Sequence, residues 1–531
     1  MAVVFSCGEQ LSMGNGIHYG GGTAWKGASY MIDALKSFVT SLGSADYNLS
    51  TDRETLEKRS RALYQNALFA GAAINSMNTN VVGSGLKCHP SLNANLLGIS
   101  QEESKRWEKE VQIKFALWGG SKFCDAERKN TFAQLQDLAL KTQLITGDCF
   151  ALRQYRANPV SPWGCCIKLL EGDRCMNPIG VSDTDRLAMG VEVDDFGAPI
   201  AYHFSKKPPY SIDNYSDWCE TIRVETISLT GTPNVIHVFT SERPDQRRGI
   251  PWLAPVIMQI KQQERYQDAE LVAAVVASMF TVFIKTTNSD VPNPMYGNVP
   301  EPARVEPVVP KAAAELSPGG IMELGQGESI EVADPKRPNI NYDPFVNSIF
   351  TEIGARLGIA REVILKKFDS SYNAVRGAIL ESKKTFDRAR INHVSDFCQP
   401  IYESWLDESV LLGIVECPGY FEDPMKRSLW RQVKWVGDAA MMLDPLKETQ
   451  AFKMQIDEQL TTRGTVCAQI NGGEYASVAA ELAEESRIRK DLELPEPGSV
   501  NKSESVSVST ATQSTENGKN QNSEDVKEES P

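Results

Sequence analysis

IHVFTSERPDQRRGIPWLAPVIMQIKQQERYQDAELVAAVVASMFTVFI, residues 236–284, is the stretch from which the rest of the chain can be ordered. It opens inside a short apolar run, Val235 to Phe239, whose β-branched and aromatic residues predict a strand. His237 within that run reads as a satisfied core or interface histidine. At Gly249-Ile250-Pro251 a long helix is predicted to begin, and from Leu271 onward its residues are apolar on every face. If helical to Ile284 it is about 45 to 50 Å long at 1.5 Å per residue. The run from Leu271 to Ile284 is too short to span a bilayer, and Ser278 and Thr281 interrupt it. A helix apolar all round must therefore be enclosed by other protein, and identical subunits could supply it.

Upstream of this stretch, the Gly- and Ser-rich residues 1–50 predict a mobile arm. Leu56, Leu63, Ala67, Ala70 and Ile74 recur at helical spacing, so one amphipathic helix is predicted from Thr51 to Asn78, with Thr51 or Asp52 as its N-cap. Helices are also predicted over Glu102 to Trp118 and Thr131 to Thr146. Short strands follow at Cys149 to Tyr155, Cys165 to Leu170, Gly190 to Val193 and Ile200 to Phe204. The fold class is therefore α+β. Downstream, the prolines between Thr286 and Pro338 exclude a continuous helix and suggest an irregular or small β module. A second helix is predicted from Asp343 to Leu365, then a polar segment from Lys366 to Asn373, then a very long helical pattern to about Leu412. After Pro495 aromatic residues disappear and a disordered, acidic tail is expected.

Composition excludes several classes of function. With 531 residues, of which 41% are hydrophobic, the chain can bury a large core. A formal net charge of −14 disfavours tight whole-surface binding of nucleic acid, yet lets a duplex pass nearby without sticking. The 11 cysteines are odd in number and scattered, so no disulfide framework is expected and a reducing cytosol fits best. The N-terminus lacks the succession of a signal peptide, and export is not expected.

Motifs for catalysis are lacking. There is no GxxxxGK[ST], no GxGxxG opening a helix after a strand, no HExxH and no CxxC pair. No catalytic residue, cofactor or metal is expected. Cys165 and Cys166 with His203 or His237 could form a thiolate and base, but vicinal cysteines in a strand read as packing. Asp194 and Asp195 precede Gly197 in a turn, where acids occur for conformational reasons. Lys366 and Lys367, beside Phe368, Asp369 and Arg376, suit a loop presented to a polyanion, although the pattern alone favours a solvated helix end with cations near its C-terminus.

Residues 236–284 resemble the lambda family of phage portal proteins through His237, Arg243-Pro244, Gln246, Arg248-Gly249, Pro251, Tyr266, Asp268-Ala269-Glu270 and Ala273-Ala274. Further stretches similar to the family lie in its order. They are NVVGSGLK at Asn80, TFAQLQ at Thr131, GDCF at Gly147, LLEGDR at Leu169, GVEVDDFGAPIAY at Gly190, LGQGESIEVADPKRP at Leu324, IGARLGIAREVILKKFDSSYNAVRGAILESKKTFDRAR at Ile353 and LDPLKETQA at Leu443. The resemblance covers about residues 51–490, and Asn373 and Gly377 depart from the family's Ser and Ala.

The resemblance implies a structural protein of the virion, present in the host cytoplasm during assembly, that forms a ring, usually of twelve subunits, at the capsid vertex through which double-stranded DNA is packaged and ejected. Other capsid or head-tail connector subunits, also oligomeric and non-catalytic, are the alternative. The family's anatomy implies a flexible arm at residues 1–50, a wing at 51–250, a first stem helix at 251–285, a clip at 286–338 and a second stem helix at 339–365. It further implies a tunnel loop at 366–375, wing helices at 376–446, a crown-side helical region at 447–495 and a disordered tail at 496–531. Lys366, Lys367, Ser370, Ser371, Tyr372 and Asn373 would face DNA, while Tyr266, Ala269, Leu271, Ala273, Ala274 and Ala277 would pack the stem. The implied partners are further copies of the chain, the terminase large subunit, major capsid and scaffolding proteins, and head-tail connectors, with no membrane.

Overall fold

The computed structural model describes residues 33–494 except 36, 39, 41, 210–219, 279–281, 287–327, 333–340, 370, 439–443 and 472–474. The chain begins with helices α1 (Ala45–Asn66) and α2 (Leu68–Val81), strand β1 (Lys87–Pro90), the single turn α3 (Ala94–Leu97), α4 (Gln101–Gly120) and α5 (Phe132–Thr146). Strands β2 (Asp148–Tyr155), β3 (Cys165–Glu171), β4 (Leu187–Ala188), β5 (Val191–Val193), β6 (Pro199–Ser205), β7 (Thr221–Glu225) and β8 (Val235–Phe239) follow. Next come α6 (Ile257–Ser278), β9 (Val282–Thr286), β10 (Glu328–Val332), α7 (Tyr342–Leu357), α8 (Arg361–Leu365) and α9 (Tyr372–His393). A π turn (Val394–Cys398) joins α9 to α10 (Gln399–Leu411), and α11 (Pro424–Trp430), β11 (Val433–Val436), α12 (Pro445–Asp457), α13 (Arg463–Asn471) and α14 (Tyr475–Asp491) complete the described chain. The mixed α+β class read from the sequence is the one observed.

Several boundaries differ from the sequence-based expectation. The first helix starts inside the expected arm, because Ser44 accepts the Tyr47 N–H at 3.1 Å and caps it there. It does not run to Asn78: Ala67 is extended (φ −89, ψ 119), and α2 restarts at Leu68. Nothing in the residues around Ala67 announces that break. The long apolar helix ends at Ser278, about 33 Å from its start. Val282 to Thr286 then forms a strand paired antiparallel with Glu328 to Val332, matching Val282 to Val332 and Ile284 to Ile330. The β-branched Val282 and Ile284 thus serve a ladder rather than a helix. The helix expected from Asp343 to Leu365 breaks at Gly358, whose φ of +73 ends α7 as a left-handed cap. The arm before residue 33 and the tail after residue 494 lie outside the described residues, as does most of the proline-rich insert.

The chain divides into two compact units. The first comprises residues 1–74, 141–153 and 169–357. Its β core joins Phe150, Leu170, Val191, Val193, Tyr202, Phe204 and Val235. These residues come from the four-stranded antiparallel order β4-β5-β6-β7 and from the strands ordered β3-β2-β8. Beside it, α7 packs on α6 through Tyr266, whose ring lies 5.7 Å from Tyr342 and 5.2 Å from Phe345. Phe350 stacks on Phe69 at 4.4 Å and ties α7 to the start of α2.

The second unit comprises residues 75–140, 154–168 and 358–531. Its core is an aromatic cluster around Phe115 of α4, whose ring lies 5.1 Å from Trp405, 5.4 Å from Tyr402 and Trp118, and 5.5 Å from Phe132. Trp163 donates to Ser409 Oγ at 2.9 Å, and the Glu408 carboxylate accepts the Gly164 and Cys165 N–H groups. These bonds hold strand β3's entry on α10. By contrast, the only buried hydrophobic residue described between Pro445 and Asp491 is Val466, while Leu446, Met454, Leu482 and Ile488 stay exposed. Amphipathic helices without a core of their own gain little stability alone.

Candidate functional site

The turn between β8 and α6 is built around one buried ion pair. Asp148 opens β2 directly opposite Phe239 of β8, two residues from His237. Its Oδ1 accepts His237 Nε2 at 2.9 Å and the Gly249 N–H at 2.6 Å, and its Oδ2 accepts Arg248 Nε at 2.7 Å. Both side chains of the Asp148–Arg248 pair are fully buried. The remaining guanidinium donors meet the carbonyls of Cys175, Met189 and Gly172 at 2.6 to 2.9 Å. Arg248 also lies 5.3 Å from the Phe150 ring centre. Every charge taken from water here is answered by a partner, as a buried pair requires.

Neighbouring residues of the same loop anchor the first helix. Arg247 pairs with Asp46 at 3.1 Å, and Arg243 donates to the Gly43 carbonyl at 2.9 Å. Gln246 Oε1 accepts the N–H groups of Glu242 and Arg243, and its amide donates to the Arg248 carbonyl at 2.7 Å. Two glycines let the strands close on this loop. A Cβ at Gly249 would lie 2.0 Å from the Gly147 carbonyl oxygen, and Gly147 itself has φ +92.

Burial pushes the Asp148 carboxyl upward. The Arg248 charge and the bonds from His237 and Gly249 outweigh burial and hold it well below the usual carboxylate range. Glu57, buried on α1 and bonded to Arg53 at 2.6 Å, shows the opposite balance: burial raises it despite that cation.

The residues singled out from sequence fall elsewhere. Lys366 is the left-handed C-cap of α8 (φ +53), Lys367 pairs with Asp369 at 3.0 Å, and Ser370 lies outside the described residues. Ser371 is the N-cap of α9, so Tyr372 and Asn373 belong to the helix and the loop is shorter than the expected 366–375. Its carbonyl already accepts the Val375 N–H at 3.0 Å. Tyr266 packs within the chain, whereas Ala269, Leu271 and Ala274 are exposed and Ala273 is half-buried. Ala277 lies on α6 beyond the described side chains.

Cys166 donates to the Gln154 carbonyl, and burial raises its thiol. His203 faces Glu192 at 3.4 Å, so each candidate histidine has a carboxylate partner rather than a thiol. Asp194 accepts the Phe196 and Ala198 N–H groups, as a turn residue does. The centre at Asp148 was missed; its signal was an acid after Gly147 at a strand start, answered by Arg248 before another glycine. Among the described residues no His, Cys, Asp and Glu cluster is suited to a metal, and no helix is long and apolar enough to cross a membrane.

Residues 33–390 match the family model described as phage portal protein, lambda family. The portal protein of Escherichia phage N15 is 24% identical over 502 residues, covering 90% of this chain and 92% of that protein. Portal protein B of Escherichia phage lambda is 25% identical over 498 residues, covering 90% and 91%. Among solved structures, a chain of the neck of a native gene transfer agent particle computed with C12 symmetry aligns with 78% of this chain and 92% of its own, at 11% identity and a TM-score of 0.41.

Because the Asp148 pKa in the folded chain lies below its unfolded value, its stabilising contribution is complete above about pH 4 and lost as pH falls through lower values. Wild-type stability in urea should therefore fall steeply from about pH 4 downward. Asp148→Asn should be less stable at pH 7 and show a shallower acid limb. Equal acid slopes for the two proteins would contradict the role given to this carboxylate.

Proposed function

From the premise that this chain belongs to the lambda family of phage portal proteins, structural and non-enzymatic components of the virion, we propose that it assembles into a closed ring of twelve copies around a DNA channel. The observation that carries this reading is the family match across residues 33–390, which includes α6 and α7 and the insert between them. In this reading residues 51–250 and 376–446 form the wing, 251–285 and 339–365 the stem, 286–338 the clip, and 447–495 the crown side. The physical support is surface that the single chain leaves uncovered. Leu271, Val272 and Val275 of α6 and Phe345 of α7 are all exposed. Neighbouring stem helices would cover them, and neighbouring copies of α12 to α14 would supply the core that those helices lack.

The clip meets the terminase large subunit during packaging and head-tail connectors afterwards, while the outer surface meets capsid and scaffolding proteins. A net charge of −14 in each copy repels double-stranded DNA, so the duplex slides without strong retention. Lys366 and Lys367, repeated by the ring's rotation, touch passing phosphates over no more than the screening length of about 8 Å.

Ala274→Glu tests the ring. Since Ala274 is exposed in the single chain, the variant subunit should keep its melting temperature. Closed rings should vanish from its native mass spectrum, because each interface would bury an unpaired charge. Normal rings would overturn the placement of α6 between subunits. For the loop, Lys366→Ala with Lys367→Ala should leave ring formation and incorporation into proheads intact and change the amount of DNA packaged or held. Unchanged packaging with a lowered melting temperature would mean that these lysines only neutralise a helix end.

A further inference from the structure

The loop between α4 and α5 is fastened to strand β3. The buried Asp125 accepts the N–H groups of Glu127, Lys129 and Asn130 at 2.9 to 3.1 Å and folds the loop around itself. Asp125 also forms a parallel bridge with Ile167, and the Ala126 N–H donates to the Ile167 carbonyl at 2.9 Å. Arg156 donates to the Ala126 carbonyl at 2.8 Å, and Trp118, near the end of α4, donates to the Cys165 carbonyl at 3.0 Å.

A cysteine stands one residue before each member of that bridge: Cys124 before Asp125, and Cys166 before Ile167. Neighbouring positions on paired backbone lie about 4.8 Å apart, within the roughly 4.4 to 6.8 Å between Cα atoms that a disulfide spans. Both side chains are buried and both thiols are free. Cys88, Cys149 and Cys175 instead face Trp435, Val238 and Phe204 across their strands.

Neither sulfur is held strongly. Cys124 Sγ lies 3.8 Å from the carbonyls of Gly119 and Asn130, and Cys166 Sγ lies 3.5 Å from that of Gln154. A thiol is a weak donor and gives up such contacts when it changes rotamer. Burial first, then the charges of Asp125 and Cys166, push the Cys124 thiol up to about 12, so its sulfur feels that of its neighbour. Burial raises the Cys166 thiol too, but the guanidinium groups of Arg156 and Arg128 oppose it, and no such cation attends Cys124. Cys166 is therefore the readier thiolate.

We infer that Cys124 and Cys166 form a redox lock: two thiols while the chain is in the reducing host cytosol, and one disulfide tying the loop to β3 once the virion meets an oxidising medium. The Cys166 thiolate attacks a small-molecule disulfide, forming a mixed disulfide and releasing one thiol. The Cys124 thiolate then displaces the second thiol from Cys166. The two cysteines lose two protons and two electrons, and the small-molecule disulfide takes them up. The lock rests on the chain being a virion component and not on ring assembly, since both cysteines belong to the second unit of a single chain.

Reduced full-length protein, incubated natively with oxidised glutathione and then alkylated in denaturant and digested without reductant, tests it. A peptide pair joining Cys124 to Cys166 should dominate the linked species, and Tm should rise by about 5 °C over the reduced protein. Cys165→Ala should form the same link, whereas Cys166→Ala should form none and show no rise. Recovery of both cysteines as alkylated thiols would overturn the lock. So would glutathione retained on Cys166 without transfer to Cys124, or a link made through Cys165. If Cys166→Ala fails to fold, the wild-type peptide map and Cys165→Ala decide.

Discussion

The contact between Asp148 and Arg248 is the constraint on which the geometry of the first unit depends. A fully buried ion pair gains little net stability, because desolvation offsets most of the attraction. It gains direction instead. Arg248 reads three backbone carbonyls from two separate turns, and Asp148 takes the N–H that opens the approach to α6. Strand β2, the turn after β3, the Met189 turn and the approach to α6 are therefore tied together by one buried ion pair. Arg243 and Arg247 extend the same loop to the N-terminus of α1.

In the ring proposed above, that rigidity would serve assembly. A helix packing against copies of itself would need a defined exit angle, since a small error at its base grows along its length. The first unit supplies that base, and α6 leaves it with Leu271, Val272 and Val275 uncovered. The second unit combines a locked aromatic core with parts that are held loosely: the exposed length of α9 and the thinly packed helices after Pro445. Stiff framework and yielding parts thus occupy separate stretches of the chain.

Much of this was legible in the residues, and the misses have physical causes. Strand β8 and the end of the long α9–α10 rod fall within a residue of their expected limits, because apolar periodicity and flanking turn residues agree there. The run after Leu271 was misjudged because an apolar sequence satisfies a helix and a strand equally; the partner strand at Glu328–Val332 decided it. The break at Ala67 leaves no local mark in the sequence. Ser371 as an N-cap was readable, and it shortens the loop to which Tyr372 and Asn373 were first given. Asp148 was hidden because a single acid at a strand start means nothing until Arg248, a hundred residues later, is placed against it.

The central claim is that copies of this chain close into a ring through surfaces that one chain leaves bare. Mass photometry of the purified wild-type protein measures that directly. The account predicts one dominant species near twelve times the 58.6 kDa chain mass, with no ladder of smaller assemblies. A monomer at micromolar concentration, or an open-ended series of oligomers without a preferred size, would contradict it.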